Sequence, residues 1–329
     1  MKSSSLVRAL CRTVMTLAVV ASASSTAVAS YSQVVFFGDS LSDTGNLYQA
    51  SGVPVSPPYY QGGFSNGPLW TTTLAGYLGG SAVNSFAGGT NYAWAGATVF
   101  DYGRPTPELP LQLGQYFAAH AADPNALYVI LGGGNDINDA GKNPATAASN
   151  VQAAAVAIDG MVDSLYGAGA RNILVGNLPD IGKTPLALSK GLAASAGATQ
   201  LTLLFNGTLG TLLANDQQVH TGLNLDVLDL YGLFNQVLAN PLAYGFDDVD
   251  TGCKSGELGL PGQLCATPNT YLFWDDFHPS ARAHNYMADA ALRAVPEPGA
   301  LLLVALSLAA FLTVRPAAEG RRTSAATCS

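Results

Sequence analysis

Residues Gln33 to Asn46 read QVVFFGDSLSDTGN. Val34, Val35, Phe36 and Phe37 form a short apolar run of β-branched and aromatic side chains, the pattern of a buried strand. Gly38 ends the run, and Asp39-Ser40 follow at the carboxyl end of that strand. In parallel α/β sheets this is the edge where ligands bind, so the Ser40 hydroxyl is a candidate nucleophile. Taken alone, Gly-Asp-Ser is equally ordinary turn chemistry. The remainder of the chain decides between the two.

Working outward, Leu127 to Leu131 (LYVIL) is a second apolar strand, ending at Gly132-Gly133-Gly134-Asn135-Asp136. Ile173 to Val175 and Leu225 to Leu230 read as further strands, and Ser81 to Phe86 as a short strand candidate. Helices are predicted over Thr71 to Leu78, Leu109 to Ala119 and Ala145 to Tyr166. In the last of these Val151, Ala155, Ile158, Val162 and Leu165 recur at the helical step. A long helix over Ala194 to Val219 is expected to be broken or loosened at Gly207 and Gly210. A short helix is expected to start at Phe234 to Leu238 and a final helix at Pro279 to Ala294, with proline near the first turn of the latter. Residues 48–70 and 241–270 read as long irregular loops. Strands alternating with helices predict a flavodoxin-like three-layer α/β/α sandwich with a mainly parallel sheet. No internal repeat, low-complexity block or second domain is visible.

Both ends read as targeting segments. Lys2, Arg8 and Arg12 precede an apolar run from Val14 to about Val20, and a small-residue stretch closes on Ala27-Val28-Ala29. This is the layout of a signal peptide over residues 1–29. At the other end Val295-Pro296-Glu297-Pro298 is followed by an apolar run from Gly299 to Val314, then Arg315, Arg321 and Arg322. As a helix that run spans roughly 24 Å, short of the ~30 Å hydrocarbon core. Between the ends, residues 30–294 carry 8 Lys and Arg against 20 Asp and Glu, a net charge of −12. Such an acidic surface argues against a nucleic-acid partner. Cys253 and Cys265 flank a Gly- and Pro-rich loop and are expected to pair in an oxidising compartment, worth up to about 3 kcal/mol. No Cys/His cluster has zinc spacing, so no metal is expected, and the reading calls for no cofactor.

Four short blocks carry the chemistry: GDS at Ser40, NYAWAGAT at Gly96, GGND at Asn135, and DDFH with Asp275 and His278. In this order they resemble the GDSL esterases and lipases, also called SGNH hydrolases, over about 36–290. The stretch PPYYQGGFSNGPLW at 57–70 resembles secreted bacterial lipase-like members. The resemblance implies a catalytic Ser40, Asp275 and His278, with Ser40, Gly96 and Asn135 forming an oxyanion hole. The chemistry agrees. Serine needs a base, and an imidazole of ordinary pKa about 6.5 suits that task. Asp275, three residues earlier, can reach the ring and fix its tautomer. Glycine allows close backbone approach to a substrate oxygen, and an asparagine amide adds a neutral donor.

Each residue alone has a plainer reading: Ser40 and Asp39 as a helix cap, Asn135-Asp136 as an Asx turn, His278 as a surface histidine before a helix. The ordered set is what favours chemistry. His120, His220 and His284 match no block and read as surface or satisfied structural residues. Asp247, Asp248 and Asp250 depart from calcium-loop spacing and read as a solvated loop. No G-x-S-x-G elbow or phosphate loop is present.

The carboxyl-terminal segment resembles the PEP-CTERM sorting signal of Gram-negative bacteria, although it continues fourteen residues past Arg315. That resemblance implies transient membrane insertion, cleavage by an exosortase, and delivery to the cell surface or outside the cell. The expectation is an exported serine esterase or lipase acting on a small-molecule or lipid ester through an acyl-enzyme on Ser40, with the loops 48–70, 97–110 and 241–270, rich in Tyr, Phe, Pro and Gly, walling the acyl site at the carboxyl edge of the sheet. The alternatives are a surface-displayed non-catalytic binding or matrix protein on the same fold, and an acyltransferase or polysaccharide deacetylase with the same triad.

Overall fold

The computed structural model describes residues 31–295. The predicted leader, and the predicted tail apart from Val295, lie outside the described residues. Four parallel strands form the main sheet: β1 (Val34–Gly38), β2 (Leu127–Leu131), β3 (Asn172–Gly176) and β4 (Asn224–Leu228), lying side by side in that order. Register sets Val35 beside Tyr128, Tyr128 beside Ile173, and Ile173 beside Leu225. Each such row presents its side chains to one face of the sheet.

Both faces are covered, which is why β1, β2 and β3 read as apolar runs rather than as alternating ones, whereas the edge strand β4 (NLDVL) is only partly buried. On one face Val35, Phe37, Tyr128, Ile130, Ile173 and Val175 join a core with residues of α3 (Leu109–Ala119), α5 (Ala147–Ala168) and α7 (Leu192–Val219). On the other, Val34, Phe36, Leu127, Val129, Leu131 and Leu174 join residues of α2 (Trp70–Tyr77), α8 (Leu230–Ala239) and α9 (Ala281–Ala294). Short helices α1 (Asn46–Ser51), α4 (Gly134–Ala140) and α6 (Pro185–Ser189) follow strands or loops at the carboxyl edge. The three-layer sandwich expected from the sequence is the architecture observed.

Three expectations are corrected. Residues 81–86 do not form a strand: Asn84 caps a 3-10 turn (Ser85–Ala87) through its side chain, and Val83 and Phe86 stay exposed. The flanking position is filled instead by Asn91, in an isolated parallel bridge to Phe36. Counting that bridge, strand order follows the flavodoxin pattern, with β1 at the switch point beside β2. Helix α7 runs unbroken through Gly207 and Gly210. Both glycines face open space, while Phe205, Leu209 and Leu213 are buried in the core, so packing outweighs about 1 kcal/mol of propensity per glycine. The 241–270 loop holds order that its composition hides. Within it β5 (Asp248–Gly252) pairs with β6 (Tyr271–Phe273), and Cys253 is disulfide-bonded to Cys265.

Asp248 accepts from the backbone of Asp250 and Thr251 and from the Thr251 hydroxyl, an Asx turn, while Asp247 and Asp250 are exposed. Among the described residues no helix is long and apolar enough to cross a membrane.

Candidate active site

Strand β1 delivers Ser40 to the carboxyl edge of the sheet. Gly38 passes so close to β2 that a Cβ there would stand 2.5 Å from the Leu131 carbonyl oxygen. The buried Gln112 of α3 grips this point, accepting from Gly38 N–H and donating to Gly38 C=O at 2.9 Å each. Beyond it, Ser42 and Asp43 donate their N–H groups to the Asp39 carbonyl, and the Asp39 carboxylate accepts from Leu41 N–H at 3.0 Å. The Ser40 turn is therefore held from both sides.

The opposite part of the site is one tight turn after β6. Asp275 Oδ1 accepts the N–H groups of Phe277 and His278, both at 2.8 Å, which curls the chain so that the His278 ring meets its own carboxylate. His278 Nδ1 lies 2.9 Å from Asp275 Oδ2 and 3.0 Å from Oδ1, while His278 Nε2 lies 2.8 Å from Ser40 Oγ. Ser40 is 5% exposed, and Asp275 and His278 are 2% exposed each. Burial alone would raise the Asp275 pKa, but the facing imidazole and the backbone donors outweigh it and hold the carboxyl below its ordinary range. The three residues that the sequence blocks single out thus form one continuous hydroxyl–imidazole–carboxylate chain. Such a chain can draw the proton from the hydroxyl as it attacks a carbonyl.

Gly96 and Asn135 reach the same region by ties of their own. Asp43, three residues after Ser40, accepts Ala95 N–H at 2.8 Å, and Asn135 Nδ2 donates to Ala97 C=O at 2.8 Å. These bonds hold Gly96, at φ +82°, between the Ser40 turn and α4. The N–H groups of Ser40 and Gly96 donate to no group within the described residues, and one Asn135 amide hydrogen engages Ala97. Asp136 next to it accepts Val99 and Phe100 N–H; burial foremost, with Asp39 nearby, raises its carboxyl to about 6.

Several supporting residues carry no sequence signal of their own. Tyr59 donates to Asp275 Oδ2 at 2.8 Å, and Arg104 donates to Gly96 C=O at 3.0 Å while pairing with Asp139. Tyr59 lies inside the 57–70 stretch, but nothing in its spacing points to a carboxylate 216 residues away. Of the remaining histidines, His284 takes a structural place: it is fully buried, accepts from Trp70 N–H through Nδ1, and is held neutral by burial, which lowers its pKa to about 3.

An apolar pocket opens beside Ser40, walled by Leu178, Ile181, Phe234, Phe273 and Phe277. These walls are not the loops 48–70, 97–110 and 241–270 that the sequence suggests for an acyl site. Those loops buttress instead: Tyr59, Phe64, Cys253 and Trp274 pack together behind the Asp275 turn, and 97–110 binds Asp136 and Gly96. Through Ile181 and Phe277 the pocket adjoins a groove of about 600 Å³ between α4, α5 and the start of α7.

A family profile described as GDSL-like Lipase/Acylhydrolase matches residues 34–291. The chain belongs to this family. Among curated relatives, it is 29% identical over 344 residues to Lipase 1 of Photorhabdus luminescens, covering 83% of this chain and 52% of the relative. It is 31% identical over 238 residues to the phosphatidylcholine-sterol acyltransferase of Aeromonas hydrophila, covering 69% of this chain and 66% of the relative. The chain thus spans between about half and two thirds of the length of these two relatives. Among solved structures, an acetylxylan esterase of Geobacillus stearothermophilus aligns at 16% identity with a TM-score of 0.45, over 82% of this chain and 96% of that one. In this GDSL-family chain, Ser40, Asp275 and His278 stand in bonding contact, and the turn carrying Gly96 is bonded to Asp43 through Ala95 on one side and to Asn135 through Ala97 on the other.

Proposed function

We propose that this GDSL-family protein is a serine esterase or lipase working through an acyl-enzyme on Ser40. The observation that carries this reading is the unbroken contact from Ser40 Oγ to His278 Nε2 at 2.8 Å and from His278 Nδ1 to Asp275 at 2.9 Å. Ser40 Oγ attacks the ester carbonyl while His278 Nε2 takes its proton. The Nδ1–H of His278 stays hydrogen-bonded to Asp275, which stabilises the imidazolium as it forms. The carbonyl oxygen gains negative charge and is received by the free N–H groups of Ser40 and Gly96 and by the Asn135 amide. His278 then protonates the departing alkoxide, and the same cycle run with water releases the acid and restores Ser40.

The acyl chain lies in the apolar pocket beside Ser40 and, when long, continues into the adjoining groove. The Aeromonas relative, named an acyltransferase, supports a second deacylation route in which an alcohol replaces water. Export, processing of the tail by an exosortase-type enzyme and surface placement belong to the same proposal. They rest on the sequence patterns of residues 1–29 and 295–329.

The test is turnover of a p-nitrophenyl ester series, acetate to palmitate, by the native protein and by Ser40→Ala. Turnover lost in a variant that remains folded supports Ser40 as nucleophile. A native protein inert towards every ester, or a variant as active as the native one, overturns the reading. Adding an alcohol acceptor and analysing the products separates transfer from hydrolysis.

A further inference from the structure

We infer that Phe277 is the specificity-determining residue for acyl length. At rest its ring closes the pocket beside Ser40 to acetyl-sized groups, and a longer acyl chain must displace that ring to reach the groove beyond. The inference rests on the reading of Ser40 as the nucleophile of an ester hydrolase, and it names the acyl group that this site takes most readily. The two spaces are unequal: the pocket beside Ser40 holds about 30 Å³ and the adjoining groove about 600 Å³. At roughly 10–15 Å³ for each water-sized group, the pocket has room for about two of them. That is enough for the methyl of an acetyl group but not for the tail of a laurate.

Three residues face both spaces: Ile181, Thr184 and Phe277. Two of them are committed elsewhere. Ile181 is buried, and its N–H donates to the Thr202 hydroxyl at 3.3 Å. The Thr184 hydroxyl donates to Ile181 C=O at 2.8 Å and accepts Ala187 N–H at 3.3 Å as the cap of α6. Phe277 is the half-buried member of the three, and its side chain has no polar bond to break. A methyl built on Gly134 would stand 3.5 Å from Ile181 Cδ1 and 4.0 Å from Phe277 Cζ. The two side chains therefore close over the start of α4, one residue before Asn135.

The backbone of Phe277 is fixed where its side chain is not. Its N–H donates to Asp275 Oδ1 at 2.8 Å, so the ring can turn about its own bonds while the triad keeps its geometry. The ring meets the His278 imidazole edge to face, with centres 5.6 Å apart and planes 83° apart. Turning it aside gives up that contact and a preferred rotamer. A long acyl chain bears this cost and an acetyl group does not, and such a difference between competing substrates is what sets specificity. In the DDFH block Phe277 is the filler between two residues with chemistry, so only the packing shows its role.

The test compares the full chain with Phe277→Ala and Phe277→Leu on p-nitrophenyl acetate and laurate. Each protein is also titrated with lauric acid by calorimetry, which needs no turnover. The native protein is expected to prefer acetate to laurate in kcat/KM. In Phe277→Ala the laurate-to-acetate ratio rises about tenfold or more, acetate stays within about threefold of native, and lauric acid binds about tenfold tighter. Phe277→Leu falls between the two. A native protein that handles laurate as well as acetate, or a ratio unchanged in Phe277→Ala, overturns the inference. So does equal loss on both esters with no gain in lauric acid binding, which would make Phe277 a prop for the His278 turn. If the native protein is inert towards every ester, the esterase reading fails and lauric acid binding alone decides. Tighter binding in Phe277→Ala then supports the partition, and unchanged binding overturns it.

Discussion

The hydroxyl of Tyr59 donates to Asp275 Oδ2 at 2.8 Å, the same oxygen that stands 2.9 Å from His278 Nδ1. The phenol is fixed in turn, because its oxygen accepts Gly259 N–H at 3.1 Å. Its pKa is raised, by burial first and by the Asp275 charge second, so it remains a donor over the whole working range. Tyr59 is thus a positioning residue for the carboxylate that orients His278. In Tyr59→Phe the carboxylate keeps its backbone donors but loses this one. Stability at neutral pH is expected to fall by about 1–3 kcal/mol, the scale of a hydrogen bond to a charged group. A depressed carboxyl stabilises the fold above its unfolded pKa and loses that contribution as pH falls. With the depression lessened, acid unfolding of Tyr59→Phe begins at higher pH than in the native protein. Turnover is expected to drop about fivefold for each 1 kcal/mol of misalignment with KM nearly constant. An unchanged acid-unfolding midpoint would show that the contact has no influence on Asp275.

Gln112 makes the same kind of argument for the nucleophile. Its amide closes a two-bond clasp on Gly38, two residues before Ser40, from a wholly buried position. Gln112→Leu keeps the volume but leaves Gly38 N–H unsatisfied, at a cost of about 1–3 kcal/mol. The Ser40 turn loosens with it. The expected signature is a lower kcat at nearly constant KM, measured on a short ester. A stable, fully active Gln112→Leu would mean that the turn is set by the Asp39 and Asp43 bonds alone.

What the sequence made legible follows from the range of the interactions involved. Strands β1 and β2 and helices α3 and α5 are declared by period and apolar content, because both sheet faces are buried and the signal is local. The triad and Asn135 are legible through short blocks, since Asp275 and His278 are held by a single turn of backbone hydrogen bonds. Tyr59, Gln112 and Arg104 are not, because each acts across a long loop on a group that its own neighbourhood does not mention. The missing strand at 81–86 and the unbroken α7 are cases where a cap at Asn84 and burial of Phe205 and Leu209 override local preference. The acyl-site walls differ from the expected loops for the same reason: position at the sheet edge is readable, but the direction in which each loop folds is decided by its packing partners.

Asp39 gives a prediction in pH. It is 3% exposed, and burial, partly offset by Leu41 N–H and by His278, pushes its carboxyl up to about 6. Between the unfolded value of about 3.9 and that figure, the folded protein holds a proton that the unfolded chain has released, so stability falls as pH rises through the window. Asp39→Asn removes this liability while its Oδ1 can still accept Leu41 N–H. Denaturant unfolding at pH 7.5 is expected to show the variant more stable by on the order of 1–3 kcal/mol. The difference should close below about pH 4, where both forms are neutral. A constant offset at all pH values would assign the effect to packing rather than to charge.

The adjoining groove makes the chain-length profile testable at one residue. Ala198 of α7 lines the groove, is half-buried against the core, and is absent from the pocket walls beside Ser40. A tryptophan there fills space that a long acyl chain would occupy, while the triad and the pocket beside it are untouched. One methylene in an apolar site is worth about 0.8 kcal/mol, so excluding even three carbons costs a long-chain ester about fiftyfold in kcat/KM. The expected result for Ala198→Trp is therefore selective loss: acetate and butyrate esters are hydrolysed at nearly the native rate, whereas laurate and palmitate esters fall by one to two orders of magnitude. Equal loss on every ester would point to a displaced α7 and a disturbed Ile181. No loss on the long esters would place the acyl chain elsewhere and leave the groove to the alcohol or to no substrate group at all.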